Sequence, residues 1–457
     1  MNIDKCFKEY LEEAIGAEKA AVAFSAFDEP ASVSVRLNPS KLSSATHFGC
    51  GLEEVPWSRY GFLLDRRPVF TLDPLLHCGA YYVQDSSSMF VGEMFRRVAA
   101  GRFSGLGRPL RVLDLCAAPG GKTTDLAASL RLLCDDSFIL VSNEVMKARA
   151  GVLADNVALW GDPNVVVTNA DPAAFARLKG YFDIIVADMP CSGEGMFRKD
   201  EQAVAQWSKD NVDLCSSRQR RIVADIWPAL CGDGVLIYST CTFNRYENDM
   251  NISWISENFD SVPLMTDLDF PGVIKTDCGY ALVPGFVPGE GQYCAAVLKN
   301  GETDVLRMKR NSSVGRKQKG AYKGIENLFS VPVSIRQAGN LEVVCPEVIA
   351  DEIDFVSEAV RPIRTGCAVG EMKGKDLVPS ADMALTAILD GEAFPAAELD
   401  LKTALAFLHR DTIVLPDAPK GYLRVCYNGL SLGFVKNLGS RCNNLHPQNR
   451  RIRMSIQ

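Results

Sequence analysis

The sequence is poor in the residues and spacings that build metal sites. It has only four histidines, which are scattered, and among its fifteen cysteines no two are closer than Cys231 and Cys241, ten residues apart. A zinc knuckle or a thioredoxin-type redox motif needs two cysteines separated by only a few residues. We therefore expect no bound metal, and we expect most of the cysteines to be small buried apolar side chains in a reducing compartment.

Long apolar runs and an overall excess of positive charge are also lacking. No stretch approaches the ~20 consecutive apolar residues of a membrane-spanning helix, and the charged amino-terminal segment has no secretory-signal pattern. The formal net charge is −7, which does not indicate a nucleic-acid-binding protein. Positive charge is nevertheless concentrated in residues 299–323, with eight lysines or arginines against two acidic residues. We predict a cytoplasmic, monomeric protein that binds neither membranes nor DNA.

At 457 residues the chain is too long for one ordinary hydrophobic core. Changes in composition and periodicity predict a small α+β unit, a larger α/β domain, a basic linker, an α+β domain and a final β domain with an Asn-Gly hairpin turn. The predicted bounds of these five segments are 1–95, 96–300, 301–323, 324–392 and 393–457.

Short apolar runs alternate with helical patterns through the second segment. The runs are "RVLDL", "FILVSNE", "NVVVTNA", "FDIIVAD" and "GVLIYST". Their continuous, β-branched hydrophobicity is typical of strands buried on both faces of a parallel sheet. The alternation predicts a doubly wound α/β domain, with mostly parallel strands and helices on both faces.

A glycine loop lies between the first of these strands and the following helix, at Pro119-Gly120-Gly121 in "VLDLCAAPGGKTTDLAA". Such a loop lets a ligand approach the backbone closely and exposes amides at a helix N-terminus. The loop has neither the dinucleotide nor the Walker spacing. Glu144 ends the next strand, a position at which an acidic side chain typically accepts hydrogen bonds from ribose hydroxyls. Asp171 follows the third strand. S-adenosylmethionine fits this pattern better than NAD, because one sharp loop must accommodate an amino acid instead of a diphosphate.

Two cysteines follow the fourth and fifth strands, Cys191 in "ADMPC" and Cys241 in "STC". Because ligands in open α/β sheets bind at the carboxyl ends of strands, both thiols are expected at the same cleft as the glycine loop. Core packing and a redox pair are the less favoured alternatives. A thiolate beside a methyl donor can add to carbon 6 of cytosine, which makes carbon 5 nucleophilic. Asp188, if protonated, would donate a hydrogen bond near N3. Spacing alone leaves open which cysteine is the nucleophile.

Three long, ordered motifs resemble those of the Nop/Sun-type RNA cytosine-C5 methyltransferases, and most closely the RsmF group of bacterial ribosomal RNA small-subunit methyltransferases. They are "DLCAAPGGKTT", "ADMPCSGEGMFRKD" and "GVLIYSTCTFNRYEND". The resemblance implies that Cys241 attacks the base, that Cys191 assists product release, and that Lys122 supports the catalytic loop. It also implies that the cofactor is held by Cys116, Ala117, Ala118, Pro119, Gly120, Gly121, Lys122, Glu144, Asp171 and Asp188.

The resemblance extends over nearly the whole chain. It implies an amino-terminal RNA-facing unit, a Rossmann-like class I methyltransferase domain and a carboxyl-terminal region that ends in a PUA-like domain. S-adenosylmethionine would be converted to S-adenosylhomocysteine without a metal, and small-subunit ribosomal RNA would be the substrate. The alternatives are a tRNA cytosine-C5 methyltransferase and a non-catalytic ribosome assembly factor that binds S-adenosylmethionine. The chain departs from the family at Ala281-Leu282, at Pro284-Gly285 and at Gln292, where an aromatic residue is usual.

Overall fold

The computed structural model describes residues 4–103, 105–302, 324–374 and 376–456. Nearly all of the predicted basic linker, 301–323, lies outside these described residues. No helix within the described ranges is long and apolar enough to cross a membrane.

The amino-terminal unit consists of a helical pair, a small antiparallel sheet and a helix that leads into the central domain. Its sheet has the strand order β2-β3-β1-β4. Its helices are α1 (Lys5–Ile15), α2 (Ala17–Ala26), α3 (Pro74–His77) and α4 (Phe90–Arg102), and its strands are β1 (Val33–Leu37), β2 (Leu52–Glu54), β3 (Gly61–Leu64) and β4 (Tyr81–Val83).

The central domain is a twisted sheet with helices on both faces, as the alternation predicts. Its strands are β5 (Leu110–Asp114), β6 (Phe138–Asn143), β7 (Val165–Thr168), β8 (Phe182–Asp188), β9 (Leu230–Thr240), β10 (Ser261–Pro263), β11 (Ile274–Lys275), β12 (Tyr280–Leu282) and β13 (Gln292–Lys299). Its helices are α5 (Gly121–Cys134), α6 (Lys147–Trp160), α7 (Glu201–Gln206), α8 (Lys209–Ile226) and α9 (Asp249–Asn258).

The strand order of this sheet is β11-β12-β13-β9-β8-β5-β6-β7. The five strands β5 to β9 run parallel, and β13 pairs antiparallel with β9. The order reverses beside β5, which leaves a crevice above the carboxyl ends of β5 and β8. The strands β5 to β7 are buried throughout, so their apolar runs face helices on both sides.

The carboxyl-terminal region forms two further small sheets, with the orders β14-β15-β17-β18 and β19-β20-β21-β22. Its strands are β14 (Val333–Ala338), β15 (Leu341–Pro346), β16 (Pro362–Arg364), β17 (Cys367–Lys373), β18 (Asp376–Pro379), β19 (Ala396–Glu398), β20 (Gly421–Tyr427), β21 (Leu430–Asn437) and β22 (Cys442–Asn444). Its helices are α10 (Ala350–Ala359), α11 (Ala381–Leu385) and α12 (Leu401–His409).

The carboxyl-terminal region is joined to the central sheet. Strand β16 pairs antiparallel with β7, so it extends that sheet at its edge. Helix α10 packs on one face of the central sheet. There Glu352 of α10 forms a buried ion pair with Arg111 of β5 at 2.9 Å. Sequence periodicity did not predict this strand, because its pairing partner lies nearly two hundred residues earlier.

The amino-terminal unit contacts the helix that follows the glycine loop. Arg36 of β1, which is buried, donates hydrogen bonds to the Gly121 carbonyl at 3.1 Å and to Thr124 Oγ1 at 2.6 Å. The same unit shares a hydrophobic core with α12, β20 and β21. It therefore bridges the central domain and the end of the chain.

Candidate active site

The candidate site lies above the carboxyl ends of β5 to β9, where all the residues singled out in the sequence converge. On one side are the glycine loop and the ends of β6 and β7. On the other side are the segments that follow β8 and β9, each with one cysteine. We call these the cofactor half (residues 114–124, 143–149 and 168–171) and the thiol half (residues 188–197 and 239–249).

The glycine loop is held in place by hydrogen bonds between its backbone groups and residues outside the loop. Ala117 donates its amide to the Asn143 carbonyl at 2.8 Å, and the Ala118 carbonyl accepts from Arg149 at 2.8 Å. Gly120 has a φ of 115° and precedes the first residue of α5, a conformation that an L side chain rarely adopts. Since Gly120 supplies no side-chain cap, the first amides of α5 face the loop.

Asp114 is a buried acid at the base of this loop. Its Oδ2 accepts from Thr123 Oγ1 at 2.6 Å, whereas Oδ1 has no hydrogen-bond partner among the described residues. Burial raises the pKa of the Asp114 carboxyl to about 7. The loop therefore encloses an unsatisfied polar oxygen, which a ligand donor can satisfy.

The two predicted acids of the cofactor half differ in their surroundings. Glu144 is buried, and its carboxylate accepts from the Met146 amide at 2.8 Å and contacts Arg149 at 3.3 Å. Asp171 is exposed and caps the short helix that follows it by accepting from the Ala173 amide at 3.0 Å. Asn143, which precedes Glu144, joins the loops by donating to the carbonyls of Leu115 and Ala170.

Asp188 joins the two halves of the site. Its Oδ2 accepts from Lys122 Nζ at 2.9 Å, and its Oδ1 accepts from Ser239 Oγ at 2.8 Å and Gln292 Nε2 at 3.2 Å. Burial by itself would lower the pKa of Lys122, but Asp188, together with Cys241, raises it. Asp188 therefore accepts from three side chains, one from the cofactor half and two from strands β9 and β13.

Cys191 and Cys241 are in direct contact. Their sulfurs are 3.1 Å apart, well beyond the ~2.05 Å of a disulfide, and both thiols are free and half-buried. The hydrogen bond to Cys241 and burial raise the pKa of Cys191 well above its ordinary value. Cys191 therefore keeps its proton at neutral pH, and either sulfur can donate in the hydrogen bond between the two thiols. Consecutive parallel strands produce this contact, as the sequence predicts.

The segments that carry the two cysteines are fastened together by Glu194. This fully buried carboxylate accepts from the Phe243 amide at 2.6 Å, from Asn244 Nδ2 at 2.8 Å and from Trp207 Nε1 at 3.0 Å. In addition, the Gly195 amide donates to the Cys241 carbonyl at 2.7 Å. These contacts restrict the motion of one thiol relative to the other.

Several side chains of the site were missed in the sequence: Asn143, Glu194, Ser239 and Glu247. Each lies within a few residues of a recognised motif, and the available signal was a polar residue in an otherwise apolar or loop segment. Gln292 was noted only as a departure from the family, and its contact with Asp188 places it at the site.

These residues fit the cofactor predicted from the sequence. The loop offers backbone groups and the unsatisfied Asp114 oxygen, and the neighbouring carboxylates can accept from hydroxyl or ammonium groups. A Cβ on Gly120 would lie 3.3 Å from the Leu153 side chain, so this crowding and the positive φ both favour glycine at that position. Asp171 and the partly exposed Asp188 remain accessible to a ligand.

Family models match most of the chain. The model described as 16S rRNA methyltransferase RsmB/F matches residues 109–297. The model for the N-terminal domain of 16S rRNA methyltransferase RsmF matches 3–86, and the model for the methyltransferase RsmF PUA domain matches 394–452. Together with the sheet topology, they confirm the predicted Rossmann-like methyltransferase domain and PUA-like carboxyl-terminal domain.

The chain is also similar to individual proteins. It is 30% identical to ribosomal RNA small subunit methyltransferase F of Escherichia coli O17:K52:H18, with 93% of this chain and 91% of that protein covered. It is 35% identical to the protein of that name from Pectobacterium atrosepticum, with 62% and 59% covered. A solved methyltransferase homolog from Pyrococcus horikoshii is 26% identical and superimposes with a TM-score of 0.55, covering 65% of this chain and 96% of that one.

Proposed function

Because this chain belongs to the ribosomal RNA small subunit methyltransferase F family, we propose that it methylates carbon 5 of a cytosine in small-subunit ribosomal RNA through a covalent cysteine–cytosine adduct. The general activity of the family is S-adenosylmethionine-dependent methylation of ribosomal RNA, and the proposal adds the methylated atom and the covalent mechanism. The observation that supports the cytosine-C5 chemistry is the thiol pair, 3.1 Å apart, beside an aspartate that is bonded to the cofactor loop through Lys122.

Cys241 is the nucleophile in this proposal. Its thiolate adds to carbon 6 of the cytosine, an S–C bond forms, and the ring electron pair moves towards carbon 5. Two features favour Cys241 over Cys191. The hydrogen bond between the thiols and burial disfavour a thiolate at Cys191, and the charge of the Lys122 ammonium interacts with Cys241.

Cys191 and Asp188 complete the reaction. After carbon 5 has been substituted, a base removes its proton, the electron pair re-forms the carbon 5–carbon 6 double bond, and the S–C bond to Cys241 breaks. Cys191 adjoins the departing sulfur and assists this release. Asp188, held by Lys122, Ser239 and Gln292, accepts from the amino group of the cytosine and, when protonated, donates to its N3.

The cofactor half binds the methyl donor. Bound S-adenosylmethionine supplies the electrophilic methyl group that carbon 5 accepts, and S-adenosylhomocysteine is the product. Glu144 and Asp171 orient the adenosine portion, and Asp114 with the amides of the loop binds the amino-acid portion. The cofactor-binding residues predicted from the sequence are Cys116, Ala117, Ala118, Pro119, Gly120, Gly121, Lys122, Glu144, Asp171 and Asp188, and this proposal adds Asp114 to them.

RNA must present an extruded cytosine to this cleft, since carbons 5 and 6 are covered in a stacked helix. We propose that a monomer acts in the cytoplasm, with the amino-terminal unit and the PUA-like domain contacting RNA outside the cleft. We further propose that segments 1–95, 96–300, 324–392 and 393–457 are successive units of the chain that pack together, with β16 of the third unit extending the sheet of the second. Three of them correspond to the regions matched by family models.

A methyl-transfer assay tests this function. Purified protein and labelled S-adenosylmethionine are incubated separately with small ribosomal subunits, deproteinised small-subunit RNA and tRNA, and 5-methylcytidine is measured after digestion. We expect label in small-subunit RNA at more than about ten times the tRNA level, a difference that corresponds to ~1.4 kcal/mol. Preferential labelling of tRNA would establish the alternative substrate. The absence of 5-methylcytidine in every RNA would overturn the enzymatic proposal and favour an assembly factor.

A further inference from the structure

Glu247 is a buried carboxylate six residues after Cys241, and its contacts reach the other cysteine segment. It accepts from the Ser192 amide at 3.1 Å and from Ser192 Oγ, and Ser192 directly follows Cys191. It also accepts from Gln219 Nε2 at 2.7 Å and from Asn244 Nδ2 at 2.9 Å. The side chain is fully buried, so these donors take the place of water around the carboxylate.

These contacts hold the Cys191 segment on both sides. Gln219 donates to Glu247 and also to the Pro190 carbonyl at 3.0 Å, so the residues before and after Cys191 are both connected to the same carboxylate. Asn244 is shared between Glu247 and Glu194. The position of Cys191 therefore depends on a residue that belongs to the Cys241 segment.

The charges around the two thiols are unequal. Lys122, the nearby cation, interacts with Cys241. The negative charges of Glu247 and Asp188 interact with Cys191, and they add to its hydrogen bond and burial in raising its pKa. No lysine or arginine of the described ranges forms an ion pair with Glu247, so its charge is not neutralised locally. The field of these negative charges thus disfavours a thiolate at Cys191.

We propose that Glu247 is a positioning residue that fixes the Cys191 segment against the Cys241 segment and whose negative charge disfavours a thiolate at Cys191. The effect of Glu247 on catalysis rests on the proposed function. Its effect on the ionisation of Cys191 does not, because that effect exists in the protein without RNA. Glu247 touches neither the base nor the cofactor in this proposal. It acts through Ser192 and through its charge.

The charge of Glu247 changes near neutral pH. Burial, followed by the charge of Glu194, raises the pKa of the Glu247 carboxyl to about 7, despite the opposing hydrogen bonds. The effect on Cys191 is therefore fully present above pH 7 and is lost as the pH falls through that value. The titratable and charged groups that interact with Glu247 or Cys191 are Asp188, Glu194, Cys215, Tyr238 and Cys241.

Competitive alkylation of the full-length protein tests this inference without RNA. Limited iodoacetamide labelling at pH 8.5 is followed by peptide mass spectrometry, which gives the ratio of the alkylation rates of Cys241 and Cys191. We expect this ratio to fall about tenfold in Glu247→Gln, because the loss of the negative charge favours a thiolate at Cys191. The ratio in the unchanged protein should fall towards that of the variant between pH 8 and pH 6, where Glu247 itself gains a proton.

Matched variants separate charge from packing. Glu247→Asp retains the charge and should keep the ratio within about threefold, whereas Glu257→Gln, an exposed glutamate on α9, should leave it unchanged. Urea unfolding verifies that each variant is folded. An equal ratio in Glu247→Gln and the unchanged protein, or a pH-independent ratio in the unchanged protein, would overturn the inference. The second measurement remains decisive if the glutamine variant does not fold.

A methylation assay adds the catalytic readout. At pH 8 we expect kcat of Glu247→Gln to fall about tenfold while KM for RNA stays within twofold, because the residue acts on the thiols and not on RNA binding. An altered alkylation ratio with no methylation by the unchanged protein would refute the proposed function and leave the assignment of Glu247 standing. An unchanged ratio in an active enzyme would do the reverse.

Discussion

The two halves of the site are built in different ways. The cofactor half centres on a short motif, a glycine at positive φ followed by a helix start, to which Asn143 and Arg149 are joined across 28 and 31 residues. The thiol half is assembled by distant side chains, since Ser192 and Glu247 are 55 residues apart in the chain and Glu194 and Phe243 are 49 apart. The difference teaches that a binding loop can be specified by a short motif, whereas paired reactive groups need a network.

The largest expected effects lie in the thiol half, where the two cysteines have unequal roles. Cys241→Ala should abolish both the covalent RNA adduct and the methylated product, a loss of at least about 10³-fold, because no nucleophile remains. Cys191→Ala should accumulate a denaturation-resistant protein–RNA adduct, because release is impaired after the S–C bond has formed. Denaturing gel electrophoresis with labelled RNA measures the adduct.

Cys134→Ala, near the end of α5 and away from the cleft, is the matched control and should behave as the unchanged protein. Adduct formation by Cys241→Ala instead of Cys191→Ala would exchange the two roles. The electrostatic difference between the thiols would then no longer explain which one attacks, since Cys191, the thiol with the raised pKa, would be the nucleophile.

How far the sequence predicts the site follows the same division. Apolar runs predicted β5 to β9, and the adjacency of β8 and β9 placed Cys191 beside Cys241. The sequence did not predict that Glu194 and Glu247 tie the two segments, because the hydrogen bonds between the segments join residues 49 and 55 positions apart in the chain. Strand β16 was missed for the same reason, since local periodicity carries no information on a partner in β7.

A smaller expected effect is the pH dependence of the free energy of unfolding due to Asp114. Asp114 in the cofactor half and Glu247 in the thiol half are both buried carboxyls whose pKa values are raised to about 7. Between its ordinary value of 3.8 and about 7, Asp114 is protonated in the folded protein and ionised in the unfolded chain. Its contribution to the free energy of unfolding therefore decreases as the pH rises through that window and is constant above it.

Asp114→Asn should remove this dependence while preserving the acceptor for Thr123. From pH 5 to pH 8 the free energy of unfolding of the unchanged protein should fall by about 3 kcal/mol more than that of the variant, as two pKa units imply. Urea denaturation at both pH values measures the difference. Parallel pH curves for the two proteins would contradict a raised pKa and would mean that Asp114 is ionised in the fold.

The smallest effect concerns Asp171, the exposed acid of the cofactor half. Asp171→Asn retains the cap on the Ala173 amide but removes the charge, so the free energy of unfolding should stay within about 0.5 kcal/mol. The Kd for S-adenosylhomocysteine, measured by titration calorimetry, should rise about tenfold if a ligand donor uses the carboxylate. Asp400→Asn, which changes another exposed capping aspartate, should leave that Kd unchanged. An unaltered Kd in Asp171→Asn would restrict the acidic contact to Glu144. The residues that contact the cofactor would then belong only to the glycine loop and the end of β6. Asp171, after β7, would serve only to cap the short helix that follows it.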